Sequence, residues 1–106
     1  MHPFVLENRQ KILDITASYG CTNVRVFGSM ARGDATDTSD VDLLVDFPQG
    51  GMGLTLFEMR QAIEDAIGRK VDIGRIEGLN QHMREHALRH AIPLRETNTP
   101  NQEGGE

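Results

Sequence analysis

The sequence GSMARGDATDTSDVDLLVDF, at residues 28–47, is the most informative stretch of this chain. It links two apolar runs that are typical of β-strands, VRVF at residues 24–27 and VDLLVDF at residues 41–47. Residues two apart on a strand point to the same face, so the side chains of Asp40 and Asp42 are expected to lie side by side. Two carboxylates this close repel each other unless a cation lies between them. Such a pair suits Mg²⁺, which is usually held by one or two carboxylates together with substrate phosphates.

The turn at Gly28 and Ser29 predicts the phosphate-binding half of the same site. A helix that begins there presents backbone N–H groups without partners, and these bind phosphate. Gly28 lets the backbone approach a phosphate without a clash from Cβ. Ser29 adds a hydroxyl and is expected to cap a short helix that Gly33 ends. Arg32 lies close enough in sequence to contact a phosphate, although a solvated surface arginine fits equally well.

These motifs together resemble the signature of the nucleotidyltransferase superfamily related to DNA polymerase beta, and most closely the minimal nucleotidyltransferase (MNT) domains of bacteria and archaea. That signature is Gly-Ser, a spacer, Asp-x-Asp and a third acidic residue on a later strand. Asp72, in the segment Lys70-Val71-Asp72-Ile73, matches the third acidic residue. The resemblance covers residues 4–95 and implies an α/β (α+β) nucleotidyltransferase fold, in which a small mixed β-sheet packs against helices.

The resemblance also implies what each matched residue does. Asp40 and Asp42 would bind Mg²⁺, and Asp72 would bind a second Mg²⁺ or accept the proton of the attacking hydroxyl. Gly28 and Ser29 would bind the triphosphate of ATP. The functional analogues are the MntA-type antitoxins of HEPN/MNT toxin–antitoxin systems, which transfer AMP from ATP to a tyrosine of a small helical HEPN ribonuclease. The resemblance therefore implies an adenylyltransferase antitoxin with a HEPN toxin as its partner.

Two other functions remain open on the sequence. The protein would be an antitoxin of a different kind if it neutralised its HEPN partner by binding alone. It would be a different transferase if the acceptor were a small molecule or an RNA end. The intact set of three aspartates favours catalysis over binding alone.

Length, charge and cysteine content narrow the class of protein. The chain has 106 residues and a net charge of −5, which predicts one domain and argues against a large interface with DNA or RNA. Cys21 is the single cysteine, so no internal disulfide can form, and its place before an apolar strand predicts a buried thiol. The sequence lacks a signal-peptide pattern and an apolar run long enough to span a membrane, which predicts a cytoplasmic protein.

Apolar periodicity and capping residues predict alternating helices and strands. A capping box at Thr55 and Glu58 is expected to start the second long helix, and Gly68 to end it. The expected domain covers residues 1–96, with a Gly-rich connector at 48–53 and a polar, disordered tail at 97–106. The predicted elements are helices at 4–19, 29–32, 55–67 and 79–90, strands at 23–27, 41–47 and 71–73, and an extended edge at 92–94.

The last predicted helix carries a competing motif. His82, Glu85 and His86 fit the H-x-x-E-H pattern of inverted zinc peptidases, and His90 continues the same helical stripe. A peptidase needs a third ligand and a substrate cleft, for which 106 residues leave little room. We therefore interpret these histidines as solvated or partly buried helix residues rather than as a zinc site.

Overall fold

Helices and strands alternate along the chain from the first helix to the last strand. The computed structural model describes residues 1–47 and 53–95, so the predictions made for the connector at 48–52 and for the tail at 97–106 lie outside the described residues. Gly53, the last residue of the predicted connector, instead begins a helix. The elements are α1 (Pro3–Ser18), β1 (Thr22–Phe27), α2 (Gly28–Arg32), β2 (Val41–Asp46), α3 (Gly53–Ile67), β3 (Val71–Arg75), a 3₁₀ turn (Ile76–Gly78), α4 (Gln81–His90) and β4 (Ile92–Pro93).

The strands form one mixed sheet in the order β3-β2-β1-β4. β1 pairs antiparallel with β2 on one side and with β4 on the other, whereas β2 and β3 run parallel. A parallel pair needs a crossover, and α3 supplies it between β2 and β3. The predicted small mixed sheet packed against helices is confirmed, and so is the short edge near residue 92.

The hydrophobic core lies on one face of this sheet. Val41, Leu43 and Val45 alternate along β2 and are at most 3% exposed, as the period of two in the sequence predicted. Helices α1 and α3 cover this face with buried side chains that include Ile12 and Ile63. Full burial of one such aliphatic side chain contributes about 1.5–3 kcal/mol, so the sheet is fixed by this layer. The opposite face of β2 is therefore left for Asp42, Leu44 and Asp46.

Cys21 lies in this core, as predicted. Its thiol is 5% exposed and its Sγ lies 3.6 Å from Sδ of Met59. Burial raises the pKa of the Cys21 thiol, with Glu77 adding to the shift and Arg75 opposing it. A thiol that is buried and held neutral is a packing residue rather than a nucleophile.

The starts of α3 and α4 each lie two residues from their predicted positions. α3 begins at Gly53, so Thr55 lies inside the first turn and the capping-box prediction is wrong. α4 begins at Gln81 rather than near Leu79, because the side chain of Asn80 accepts a hydrogen bond from the Met83 N–H at 2.8 Å and caps the helix there. No helix in the two described ranges is both long and apolar enough to cross a membrane.

Candidate nucleotide and metal site

The parallel pairing of β2 and β3 brings two of the predicted aspartates together. Asp42 on β2 lies directly opposite Asp72 on β3 in the strand register, so both side chains project from the face that the core does not use. Asp40 precedes β2 by one residue and is two residues from Asp42. Asp42 is half-buried, whereas Asp40 and Asp72 are exposed.

The electrostatics of Asp42 show that the three carboxylates act on one another. Burial raises the pKa of Asp42, and the negative charges of Asp72 and then Asp40 raise it further. Among the described residues no donor makes a hydrogen bond to this carboxylate and no cation forms an ion pair with it. A cation bound here would offset the negative charges of Asp72 and Asp40, which add to the effect of burial on the pKa of Asp42.

The donor set fits Mg²⁺ bound together with a nucleotide. Within the described residues, no group of three His, Cys, Asp or Glu side chains is arranged as a ready metal cage. Mg²⁺ does not need such a cage, because it usually takes one or two carboxylates and completes its octahedron with phosphate oxygens and water. Asp42 with Asp40 or Asp72 meets that requirement, whereas the exposed imidazoles of His82, His86 and His90 form no such group.

Gly28 joins the predicted phosphate half of the site to the carboxylate half. It follows β1 directly, and Phe27 before it pairs with Asp42 in the antiparallel register. Gly28 has a φ of +71°, and a Cβ added there would lie 2.5 Å from Oδ2 of Asp42. Both the backbone conformation and the close approach therefore require glycine at this position. The turn and the Asp-x-Asp motif, twelve residues apart in sequence, are in contact in space.

Ser29 differs from its predicted role as a helix cap, whereas the two alternatives for Arg32 stay open. α2 already begins at Gly28 with Phe27 as its N-cap and no side-chain cap bond, so the prediction that Ser29 caps the helix is wrong. Gly33 ends α2 as predicted, with a φ of +90° and its N–H donating to the Ser29 carbonyl at 2.9 Å. Arg32 is exposed and its Nε donates to Oδ2 of Asp34 at 3.3 Å, so its contact with a phosphate stays a prediction.

Arg69 holds the loop that leads to Asp40, which the sequence did not reveal. Its Nη1 donates to the Thr36 carbonyl at 3.0 Å and to the Ser39 carbonyl at 3.3 Å. Its guanidinium also lies 4.4 Å from the centre of the Phe4 ring. These contacts join residues about 30 positions apart, so no local pattern could have indicated them.

Arg60 on α3 lies beside Asp72, and the sequence did not indicate this either. Arg60, Phe57 and Asp72 line a cavity of about 290 Å³ at the β3 side of the sheet. The guanidinium carbon of Arg60 is 5.1 Å from the centre of the Phe57 ring, and its Nε is buried with no hydrogen-bond partner among the described residues. The positive charge of Arg60 therefore lies at the β3 edge of the sheet, in the same cavity as Asp72. This placement depends on the packing of α3 against β3, which is a tertiary contact.

The sheet order, the paired carboxylates and the glycine turn define a nucleotidyltransferase. The model of the family described as "Polymerase beta, Nucleotidyltransferase" matches residues 10–100, and the chain belongs to that family. It is 31% identical to the protein adenylyltransferase MntA of Thermococcus cleftensis, over 87% of this chain and 98% of that protein.

Two solved structures are similar to this one. The first, called "putative minimal nucleotidyltransferase", has a TM-score of 0.78 and 42% identity and covers 89% of this chain and 97% of its own. The second, a toxin–antitoxin with AMP-PNP, has a TM-score of 0.75 over 86% of this chain and 75% of its own, with 19% identity, and shows the shared fold.

Proposed function

We propose that this nucleotidyltransferase transfers AMP from ATP to a hydroxyl of a partner protein, namely a tyrosine of a HEPN ribonuclease toxin, and thereby acts as its antitoxin. The observation that carries the proposal is the contact of Gly28 with Asp42, opposite Asp72. One small region then offers a turn for phosphates and carboxylates for Mg²⁺. The relative named protein adenylyltransferase and the toxin–antitoxin neighbour with AMP-PNP support the choice of ATP and of a toxin partner.

In this proposal each side chain has one role in the reaction. Asp40 and Asp42 hold Mg²⁺, which neutralises phosphate charge when it is bound. Gly28 and Ser29 present backbone N–H groups to the β- and γ-phosphates, and Arg32 reaches them by leaving Asp34. Asp72 takes the proton of the attacking hydroxyl or holds a second Mg²⁺. The hydroxyl oxygen forms a bond to the α-phosphorus as the bond to the β-phosphate oxygen breaks, and pyrophosphate leaves.

The test is the intact mass of whatever the protein binds. We would purify the tagged protein with its bound partners from its native host, add ATP and Mg²⁺, and record every mass. A small helical partner that gains the mass of one or more AMP units, and does not gain it with Asp42→Ala, is the expected result. A partner that stays bound with unchanged mass would contradict the transfer and favour neutralisation by binding alone.

The acceptor is tested separately from the transfer. If no protein gains mass while the wild-type protein releases pyrophosphate from ATP without forming an equal amount of free AMP, the acceptor is a small molecule or an RNA end. Asp42→Asn, which keeps the shape of the side chain, is the matched control for a loss that comes from misfolding. Pyrophosphate release that persists in that variant would contradict the role given to Asp42.

A further inference from the structure

A groove runs along the carboxylate face of the sheet, on the side away from Asp72. Phe27 and Leu44 form its floor, and residues of α4 and of the turn before it form its wall. Its volume is about 470 Å³, which falls within the roughly 300–1,000 Å³ of small-molecule sites. We call it the α4 groove, and its wall consists of Leu79, His82, Met83, His86 and Ala87.

The α4 groove is continuous with the candidate site. Phe27 is the residue before Gly28 and pairs with Asp42 in the antiparallel register. Leu44 is two residues from Asp42 on the same face of β2, which is about 7 Å along the strand. Gly74 lies opposite Leu44 on β3 and adds no side chain to this face. A nucleotide with its α-phosphate at Asp42 would therefore have its ribose and base beside or over Leu44.

The lining of the α4 groove matches a flat aromatic ring. Phe27, Leu44, Leu79 and Met83 offer apolar and polarisable surface, and a thioether packs favourably against an aromatic ring. His82 and His86 add planar rings that can stack, and each neutral imidazole provides one donor and one acceptor. The cavity on the other side of Asp72 is smaller and contains the cation of Arg60, which suits phosphate or an acceptor better than a base.

From this continuity and lining, we propose that the α4 groove binds the nucleobase of the donor nucleoside triphosphate, with Met83 and His86 as its wall. The inference rests on the proposed function, since it assumes that the triphosphate binds at Gly28 and Asp42. The proposal also accounts for the low burial of α4, in which only Ala87 is buried. A bound nucleobase would cover the apolar side of this helix. Affinity then comes from ring contact, so purine triphosphates bind more tightly than pyrimidine ones.

The test compares ATP with tripolyphosphate, which lacks a base. Calorimetric titrations in the presence of Mg²⁺ would use the full chain, the groove variant Met83→Ala/His86→Ala and the control variant Leu88→Ala. The control truncates a side chain of the same helix outside the groove, and it keeps His90 because the centre of that ring lies 4.5 Å from the centre of the His86 ring. Met83 and Leu88 are 51% and 44% exposed, so neither change disturbs the core. We expect the groove variant to bind ATP about tenfold more weakly, with unchanged tripolyphosphate affinity.

Other results would overturn the inference, and they separate it from the proposed function. If wild-type protein binds ATP no more tightly than tripolyphosphate, or if the groove variant binds ATP normally, the groove does not hold the base while the triphosphate site still stands. If the control variant loses ATP affinity as much as the groove variant, the effect belongs to α4 as a whole. If wild-type protein binds neither ligand, the proposed function itself fails.

Discussion

Glycine is required at position 28 for two reasons, its positive φ and its close approach to Asp42. Alanine substitutions at Gly28 and Gly33 can separate these two effects. Alanine at this position would adopt a φ of +71° and place its Cβ 2.5 Å from the Asp42 carboxylate. Gly33 has a φ of +90°, but a Cβ added there would have no atom within 4 Å, so Gly33→Ala meets the conformational cost alone. That cost is about 1–2 kcal/mol in each variant.

The expected difference between these variants lies in ligand binding. Gly28→Ala and Gly33→Ala both lower the free energy of unfolding in urea, but only Gly28→Ala displaces Asp42 and weakens the binding of ATP with Mg²⁺. Equal ATP affinity in the two variants would contradict the contact between the turn and the carboxylate. Calorimetric titration of both proteins with ATP provides the measurement.

Asp42 and Asp46 lie on the same face of β2 and respond oppositely to their surroundings. Burial raises the pKa of Asp42, and neighbouring carboxylates raise it further. Burial also acts to raise the pKa of Asp46, but hydrogen bonds from Asn23 at 2.7 Å and Arg25 at 3.0 Å outweigh it, so the pKa of Asp46 is lowered. One ionised carboxylate therefore costs stability and the other contributes to it.

This contrast predicts opposite pH effects on stability. At pH 7 without Mg²⁺, Asp42→Asn raises the free energy of unfolding and Asp46→Asn lowers it, each by at most about 1 kcal/mol after screening by solvent. The gain from Asp42→Asn shrinks as the pH falls through the raised folded pKa towards the unfolded value near 4. The loss from Asp46→Asn persists to about pH 4 and disappears as the pH falls through the lowered folded pKa. Urea unfolding from pH 7 to pH 3 checks both signs, and equal signs would contradict the electrostatic account.

At the scale of elements, local patterns predicted the strands and helix ends but not the contacts between distant segments. The alternation in β2 and the glycines at 33 and 68 are signals within a few residues, and the structure has the strand and both helix ends where these signals predicted them. The pairing of Asp42 with Asp72 could be expected only from a family resemblance, because register across a crossover is a tertiary property. The contacts of Arg69 had no sequence signal, and His82 and His86 of the α4 groove were noticed only as a competing zinc motif.

Substitution of Arg69 tests whether its side chain holds the loop that precedes Asp40. Arg69→Gln removes the two hydrogen bonds to the carbonyls of Thr36 and Ser39, so the loop before Asp40 is expected to open more often. Lys70→Gln is the control, since its exposed side chain makes no hydrogen bond or ion pair with a described residue. Hydrogen exchange at residues 34–40 should be faster only in Arg69→Gln, and ATP with Mg²⁺ should bind more weakly. Unchanged exchange would show that the loop is held by other contacts.

At the scale of the whole molecule, the two faces of the sheet have different roles: one packs against the hydrophobic core, and the other carries the candidate site. Helices α1 and α3 cover one face, and the other carries the aspartates and the α4 groove. Substitutions on the first face should change stability, and substitutions on the second should change ligand binding. This division follows from the period of two in β2, which separates Val41, Leu43 and Val45 from Asp42.

Truncations after residues 96 and 91 test which of the last residues the domain needs in order to fold. Leu94 is 4% exposed and its N–H donates to the Val24 carbonyl at 2.8 Å, so the strand next to β1 extends the core. A chain of residues 1–96 is expected to match the full chain within about 0.5 kcal/mol in urea. A chain of residues 1–91 loses the burial of Leu94 and the pairing of β4, and is expected to lose at least about 2 kcal/mol. Because both truncations remove residues 97–106, equal losses in the two would mean that this segment contributes to the fold and that the proposed domain boundary is wrong.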